Sequence, residues 1–97
     1  MAFTYIIYSP LIDKYYIGVT QESITKRLDK HNQAAYGKNS FTALAHDWEF
    51  AIIFVCEDFG HALRLERKIK SMKSRVYIKN LLKYTELCFK IMAQTMT

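Results

Sequence analysis

The chain has 97 residues, 51% hydrophobic and 24% charged, with three Gly, one Pro and a formal net charge of +5. That is the composition of one ordinary globular domain, and it excludes a disordered or linker-rich chain. The longest apolar run, Phe50 to Cys56, is too short to span a bilayer, and the first residues lack the basic start of a signal peptide.

Phe3-Thr-Tyr-Ile-Ile-Tyr8 is aromatic and β-branched and reads as a strand. Ser9-Pro10 breaks it, and Asp13-Lys14 completes a loop. Tyr15-Tyr-Ile-Gly-Val-Thr20 reads as a second strand, so the first two form a hairpin. Gly18 within this strand marks a bulge or a close approach of backbone or ligand. From Ser23, an N-cap residue type, the spacing turns helical, with a stripe of Ile24, Leu28, His31 and Ala35. Asn32 to Asp47 reads as a long loop with room for a helical turn, a kind of segment that is often functional. Trp48 to Glu57 reads as a third strand, nearly all apolar from Phe50 and so expected to be well buried. Asp58 caps a helix over 60–73 whose stripe is Ala62, Leu65, Ile69 and Met72, with Val76 continuing it past a break. Ser74 caps a last helix running to about Gln94. Cys56 and Cys88 lie in apolar segments without metal-ligand spacing, and are expected as buried free thiols in a reducing cytoplasm. The order ββαβαα gives an α+β domain over 1–97, a small antiparallel sheet flanked by helices.

The charge is lopsided. Residues 1–63 carry five bases and seven acids, whereas 64–97 carry nine bases and only Glu66 and Glu86. A basic C-terminal third points to a polyanionic partner, or to a solvated helix face that serves solubility.

Five residues form a group. Tyr5 and Tyr16 lie on the two arms of the hairpin. Arg27 and His31, four residues apart, share one helix face turned toward the sheet. Glu66 lies at the margin of the apolar stripe of its helix and is the only acid among the bases from Arg64 to Lys83. Each has an ordinary structural reading: tyrosines as packing, Arg27 snorkelling, His31 as a satisfied core histidine, Glu66 paired with Lys70 at i+4. Together they match what phosphodiester hydrolysis requires. A carboxylate holds a divalent cation, an arginine neutralises developing charge, and a base activates water.

Tyr16-Ile17-Gly18 follows Tyr5 by eleven residues, and Arg27 follows Tyr16 by eleven. With Lys26-Arg27-Leu28, His31-Asn32, Trp48-Glu49 and Ala62-Leu63-Arg64-Leu65-Glu66, this text resembles the GIY-YIG nuclease superfamily, in particular its stand-alone, single-domain YhbQ-like group. The resemblance runs from about Phe3 to Arg75, and the C-terminal helix, about 75–94, lies beyond it. It implies a three-stranded antiparallel sheet with the first strand central, and a cytoplasmic, metal-dependent endonuclease acting on DNA, branched or structured DNA included, in repair or recombination. It further implies Tyr5 as helper in activating the attacking water or as general base, Tyr16 on the phosphate or its water network, Arg27 on the transition-state charge, His31 as acceptor of the Tyr5 proton, and Glu66 as sole protein ligand of one Mg²⁺ or Mn²⁺. Lys26, Arg64, Lys70, Lys73, Arg75 and Lys79 would hold the nucleic-acid backbone, and a protein partner could supply specificity.

The sequence departs from the family pattern in three places. Of the first motif only the tyrosine of Phe3-Thr4-Tyr5 remains, Val19 stands where some relatives carry an assisting lysine, and Asn80 is at best a weak match to a late asparagine. The missing lysine shifts weight to Tyr5 with His31. A phenol with an ordinary pKa of about 10 acts as a base only with a lowered pKa or with a partner for its proton, and His31 is that partner. Two other readings are a non-catalytic nucleic-acid-binding module on the same scaffold, and an interaction domain using exposed aromatics with Met92 and Met96.

Overall fold

The computed structural model describes residues 1–96. The hairpin forms as the alternating pattern predicts. β1 (Ala2–Ser9) and β2 (Lys14–Thr20) pair antiparallel from Phe3↔Thr20 to Ser9↔Lys14. β3 (Glu49–Cys56) adds antiparallel to the other edge of β1, giving the order β2-β1-β3 with β1 central. α1 (Ile24–Asn32), a 3₁₀ turn (Phe41–Leu44), α2 (Phe59–Ser71), α3 (Arg75–Lys83) and α4 (Thr85–Gln94) complete the α+β domain.

Period-two alternation along β1 divides the core between the two sheet faces. Ala2 and Ile6 pack with Phe54, Cys56, Ala62, Leu65 and Ile69 on the α2 face, joined by Leu81 and Ile91. Tyr5 and Ile7 pack with Ala45 and Trp48 on the α1 face. Thr4 Oγ1 donates to the Ala62 carbonyl at 2.8 Å and so pins α2 to the central strand.

The cap residues behave unequally. Asp58 and Ser74 accept from the N–H groups of His61 and Tyr77, at 2.8 and 3.1 Å, whereas Ser23 makes no side-chain cap bond. α1 ends at Asn32, so Ala35 falls outside it: Ala34 takes a left-handed φ of 54°, and Ala35 N–H reaches back to Lys30 O at 2.9 Å. The stripe of α2 is His61, Ala62, Leu65 and Ile69; Met72 and Val76 are exposed.

Two further expectations are corrected. The last helix is two helices, broken at Tyr84, whose φ of −115° and ψ of 103° are extended. Ile78 and Leu87 both pack on the core, but nine residues at about 100° each set them on opposite sides of one straight helix, so the chain must bend to bury both. β3 is half open rather than well buried, with Ile53 39% and Val55 54% exposed. It is an edge strand, and its pairing with β1 skips Ala51 between Ile6 and Ile7, a bulge that changes its facing. Met92 packs against the core and Met96 is exposed. Cys56 and Cys88 are free, the first buried and the second half-buried. Among the described residues no helix is long and apolar enough to cross a membrane.

Candidate active site

Tyr5 sits opposite Gly18 in the β1–β2 ladder. A Cβ on Gly18 would come within 2.4 Å of the phenol oxygen, so the glycine leaves the slot in which the phenol lies. The β1–β2 register is unbroken there. The close approach expected at Gly18 is therefore made by the protein's own tyrosine, without a bulge.

α1 brings Arg27 and His31, one turn apart, onto this phenol. His31 Nε2 lies 2.7 Å from Tyr5 Oη, and Arg27 Nε donates to the same oxygen at 3.2 Å. A guanidinium only donates, so the phenol oxygen accepts from Arg27 and keeps its own proton available for His31 Nε2. His31 Nδ1 lies 2.8 Å from Thr42 Oγ1, which can accept from it in the tautomer whose Nε2 is free to receive the phenol proton. The Thr42 carbonyl accepts from Trp48 Nε1 at 2.8 Å. Asn32 grips the main chain of Trp48 at both its N–H and its carbonyl, at 2.7 and 3.0 Å. The connection after α1 is thereby closed around the imidazole.

Burial sets the protonation states. Tyr5 is 1% exposed and His31 2%. Burial pushes the phenol up to about 12, against the pull of the Arg27 hydrogen bond and charge. Burial, followed by the Arg27 charge, pushes the imidazole down to about 4. Both groups are neutral at neutral pH. Of the two routes by which a phenol can serve as base, the structure sets a neutral imidazole, itself made less basic by burial, against the phenol and does not lower the phenol pKa.

Aromatic rings surround this chain. The Tyr16 ring lies 5.2 Å from that of His31 and stacks on Phe41 at 5.9 Å and 20°. Tyr36 lies 4.9 Å from His31, and the Arg27 guanidinium sits 4.8 Å over the Tyr36 ring. Glu66 stands apart, on α2, which packs against β1 and β2. Its carboxylate, 18% exposed, accepts from Lys70 Nζ at 3.2 Å. The structure thus joins Tyr5, Arg27 and His31 directly and Tyr16 by ring contact, and leaves Glu66 on a separate element.

The chain matches the model of the GIY-YIG catalytic domain over residues 1–80. It belongs to the GIY-YIG family. No curated protein and no solved structure matches it. The match spans all five candidate residues, and the observed sheet and helix order is that of the GIY-YIG fold. GIY-YIG is a nuclease-type family, typically of hydrolytic endonucleases that act on nucleic acid and generally use a divalent metal.

The basic residues are placed unevenly around this GIY-YIG core. Lys26, Lys73 and Lys79 are exposed. Lys70 is held by Glu66; Arg75 pairs with Asp13 and lies 5.3 Å over the Tyr15 ring. Arg64 is half-buried, and its Nε and Nη2 donate to the Thr95 and Met96 carbonyls, each at 2.8 Å, so two of its donors are taken by the C-terminal segment. Sequence reasoning did not single out Thr42, Tyr36 or Phe41. The available signal was a rule of satisfaction: a buried histidine needs a partner on its second nitrogen, and the following loop offers hydroxyls.

Proposed function

We propose that the protein is a metal-dependent endonuclease that hydrolyses DNA phosphodiester bonds, serving repair or recombination. The observation that carries this reading is the hydrogen-bonded chain Arg27–Tyr5–His31–Thr42, which sets a phenol against a neutral imidazole beside a guanidinium. Arg27 neutralises the charge that grows on the phosphate. A phosphate that draws Arg27 outward also uncovers the phenol. The attacking water then gives its proton to Tyr5 Oη as Tyr5 passes its own to His31 Nε2, so no tyrosinate forms. Thr42 Oγ1, 2.8 Å from Nδ1, can accept from the imidazole in its receiving tautomer. The Tyr16 hydroxyl bonds the phosphate or its water.

Glu66 would hold the cation. Among the described residues no cluster of three or more His, Cys, Asp or Glu offers an all-protein cage. A single carboxylate fits Mg²⁺ or Mn²⁺, hard cations that complete their shell with water and substrate phosphate. Such an ion supplies Lewis-acid stabilisation of phosphate charge. Lys26, Lys73 and Lys79 give sequence-independent backbone affinity.

The test is cleavage of labelled single-stranded, duplex, flap and junction DNAs with Mg²⁺, Mn²⁺ or EDTA, with Glu66→Ala alongside. The expected result is cation-dependent cutting that Glu66→Ala abolishes while binding persists. Binding without cutting on every substrate would make the protein a binding module. Equal loss of binding and cutting in the variant would remove Glu66 from the metal site.

A further inference from the structure

A groove of about 360 Å³ runs along the outer edge of β2, between that strand and the α2–α3 turn. Its size suits one nucleotide rather than a duplex. Four cations line it, Lys14, Lys70, Lys73 and Arg75, and no carboxylate does. Lys70 and Arg75 are spent on Glu66 and Asp13, but among the described residues Lys14 and Lys73 have no carboxylate partner. Lys73 occupies the turn between the helices with a left-handed φ of 47°. The apolar walls include Ile17 and Phe41.

Phe41 links this groove to the phenol cluster. It lines the groove, stacks on Tyr16, and is 42% exposed. Lys70 makes a second link, since it lines the groove and holds Glu66. The groove therefore lies between the two separated parts of the candidate active site. A cationic cleft with an open aromatic wall has the chemistry of a nucleotide with both its phosphate and its base. A duplex cannot present an unstacked base to such a wall.

We propose that this groove receives one unpaired nucleotide of the substrate strand, its phosphate held by Lys14 and Lys73 and its base stacked on Phe41. The inference rests on the nucleic-acid reading above and adds a preference for strands with an unpaired nucleotide beside the scissile bond.

The test is binding, read by fluorescence anisotropy with the full chain in EDTA, so that it does not depend on cutting. The probes are a blunt-ended DNA duplex and the same duplex with a short single-stranded overhang. The wild type binds the overhang probe about tenfold tighter, the size of one base–aromatic stack. Phe41→Ala brings that ratio close to one. Phe41→Leu, which keeps an apolar cover over Tyr16, does the same and answers a folding defect in the alanine variant. Lys14→Ser with Lys73→Asn, the asparagine chosen because it tolerates the left-handed backbone, weakens binding and flattens its salt dependence. Thymidine monophosphate does not compete at oligonucleotide concentrations. Equal binding of the two probes by the wild type, a preference that survives both Phe41 variants, or competition by the free nucleotide would overturn the proposal. Cutting by the wild type without this preference would leave the nuclease reading standing alone, and preference without cutting on any DNA would do the reverse.

Discussion

On the α1 face of the sheet, Tyr5, Arg27 and His31 share two hydrogen bonds, with the phenol and the imidazole nearly closed to water. On the α2–α3 side, Lys70, Lys73, Arg75 and Lys79 stand in solvent, and the nearby acids Glu66 and Asp13 are already paired. In the first region burial pushes the phenol up to about 12 and the imidazole down to about 4. The second holds ion pairs of the kind that contribute at most about 1 kcal/mol and fade with salt. Burial fixes protonation and geometry, and exposure supplies attraction without geometry. Chemistry and affinity should therefore separate under mutation and under salt.

The strongest way to break this division is Arg27→Ala. Its interaction grows as charge develops, so turnover should fall about 10²- to 10³-fold while DNA affinity changes little. Single-turnover cleavage beside anisotropy decides it, and a large affinity loss with unchanged turnover would make Arg27 a backbone contact.

Next comes acid titration of the fold. His31 has its pKa depressed from 6.5 to about 4, so the unfolded chain binds its proton first as pH falls. The contribution, about 3 kcal/mol, is present above pH 6.5 and is lost as pH falls toward 4. Denaturant melts across this range should show the loss, and His31→Gln should remove the slope. Tyr5 gives the opposite limb: its raised pKa contributes stability below 10 that disappears as pH rises toward 12.

Gly18→Ala follows. The added methyl meets a buried, hydrogen-bonded phenol that cannot swing away, and overpacking of this kind costs about 1–3 kcal/mol. Melting should show the cost, and Tyr5 should be displaced from His31. The smallest effect sharpens the other side of the comparison: Lys79→Ala should weaken DNA binding only a few-fold and reduce the salt slope by about one. An unchanged slope would take that face out of the interface.

The hairpin and the Asp58 and Ser74 caps were legible because local rules decide them: β-branched alternation, and side chains that accept from the next turn. Tyr5, Arg27 and His31 were legible as a group because helical spacing and strand facing aim all three at one point. What local rules do not carry was missed. No Gly or Pro marks the bend at Tyr84; only the phase slip between Ile78 and Leu87 records it. The exposure of Ile53 and Val55 follows from the edge position of β3, which an apolar run does not reveal. Arg64 reads as surface charge, yet two of its donors go to carbonyls more than thirty residues away. The raised pKa of Tyr5 depends on packing that no spacing reports. Thr42 binds His31 from a loop whose path is fixed by Asn32 and Trp48, and those contacts exist only once the fold has closed.

The most direct test of the account is the single-turnover cleavage rate of Tyr5→Phe, measured beside its DNA affinity. The substitution keeps the ring in its slot against Gly18 and removes only the oxygen that joins Arg27 to His31. The account predicts a rate loss of about 10²-fold or more, with affinity unchanged. A rate equal to the wild type would contradict it, and would move the chemistry away from the buried phenol.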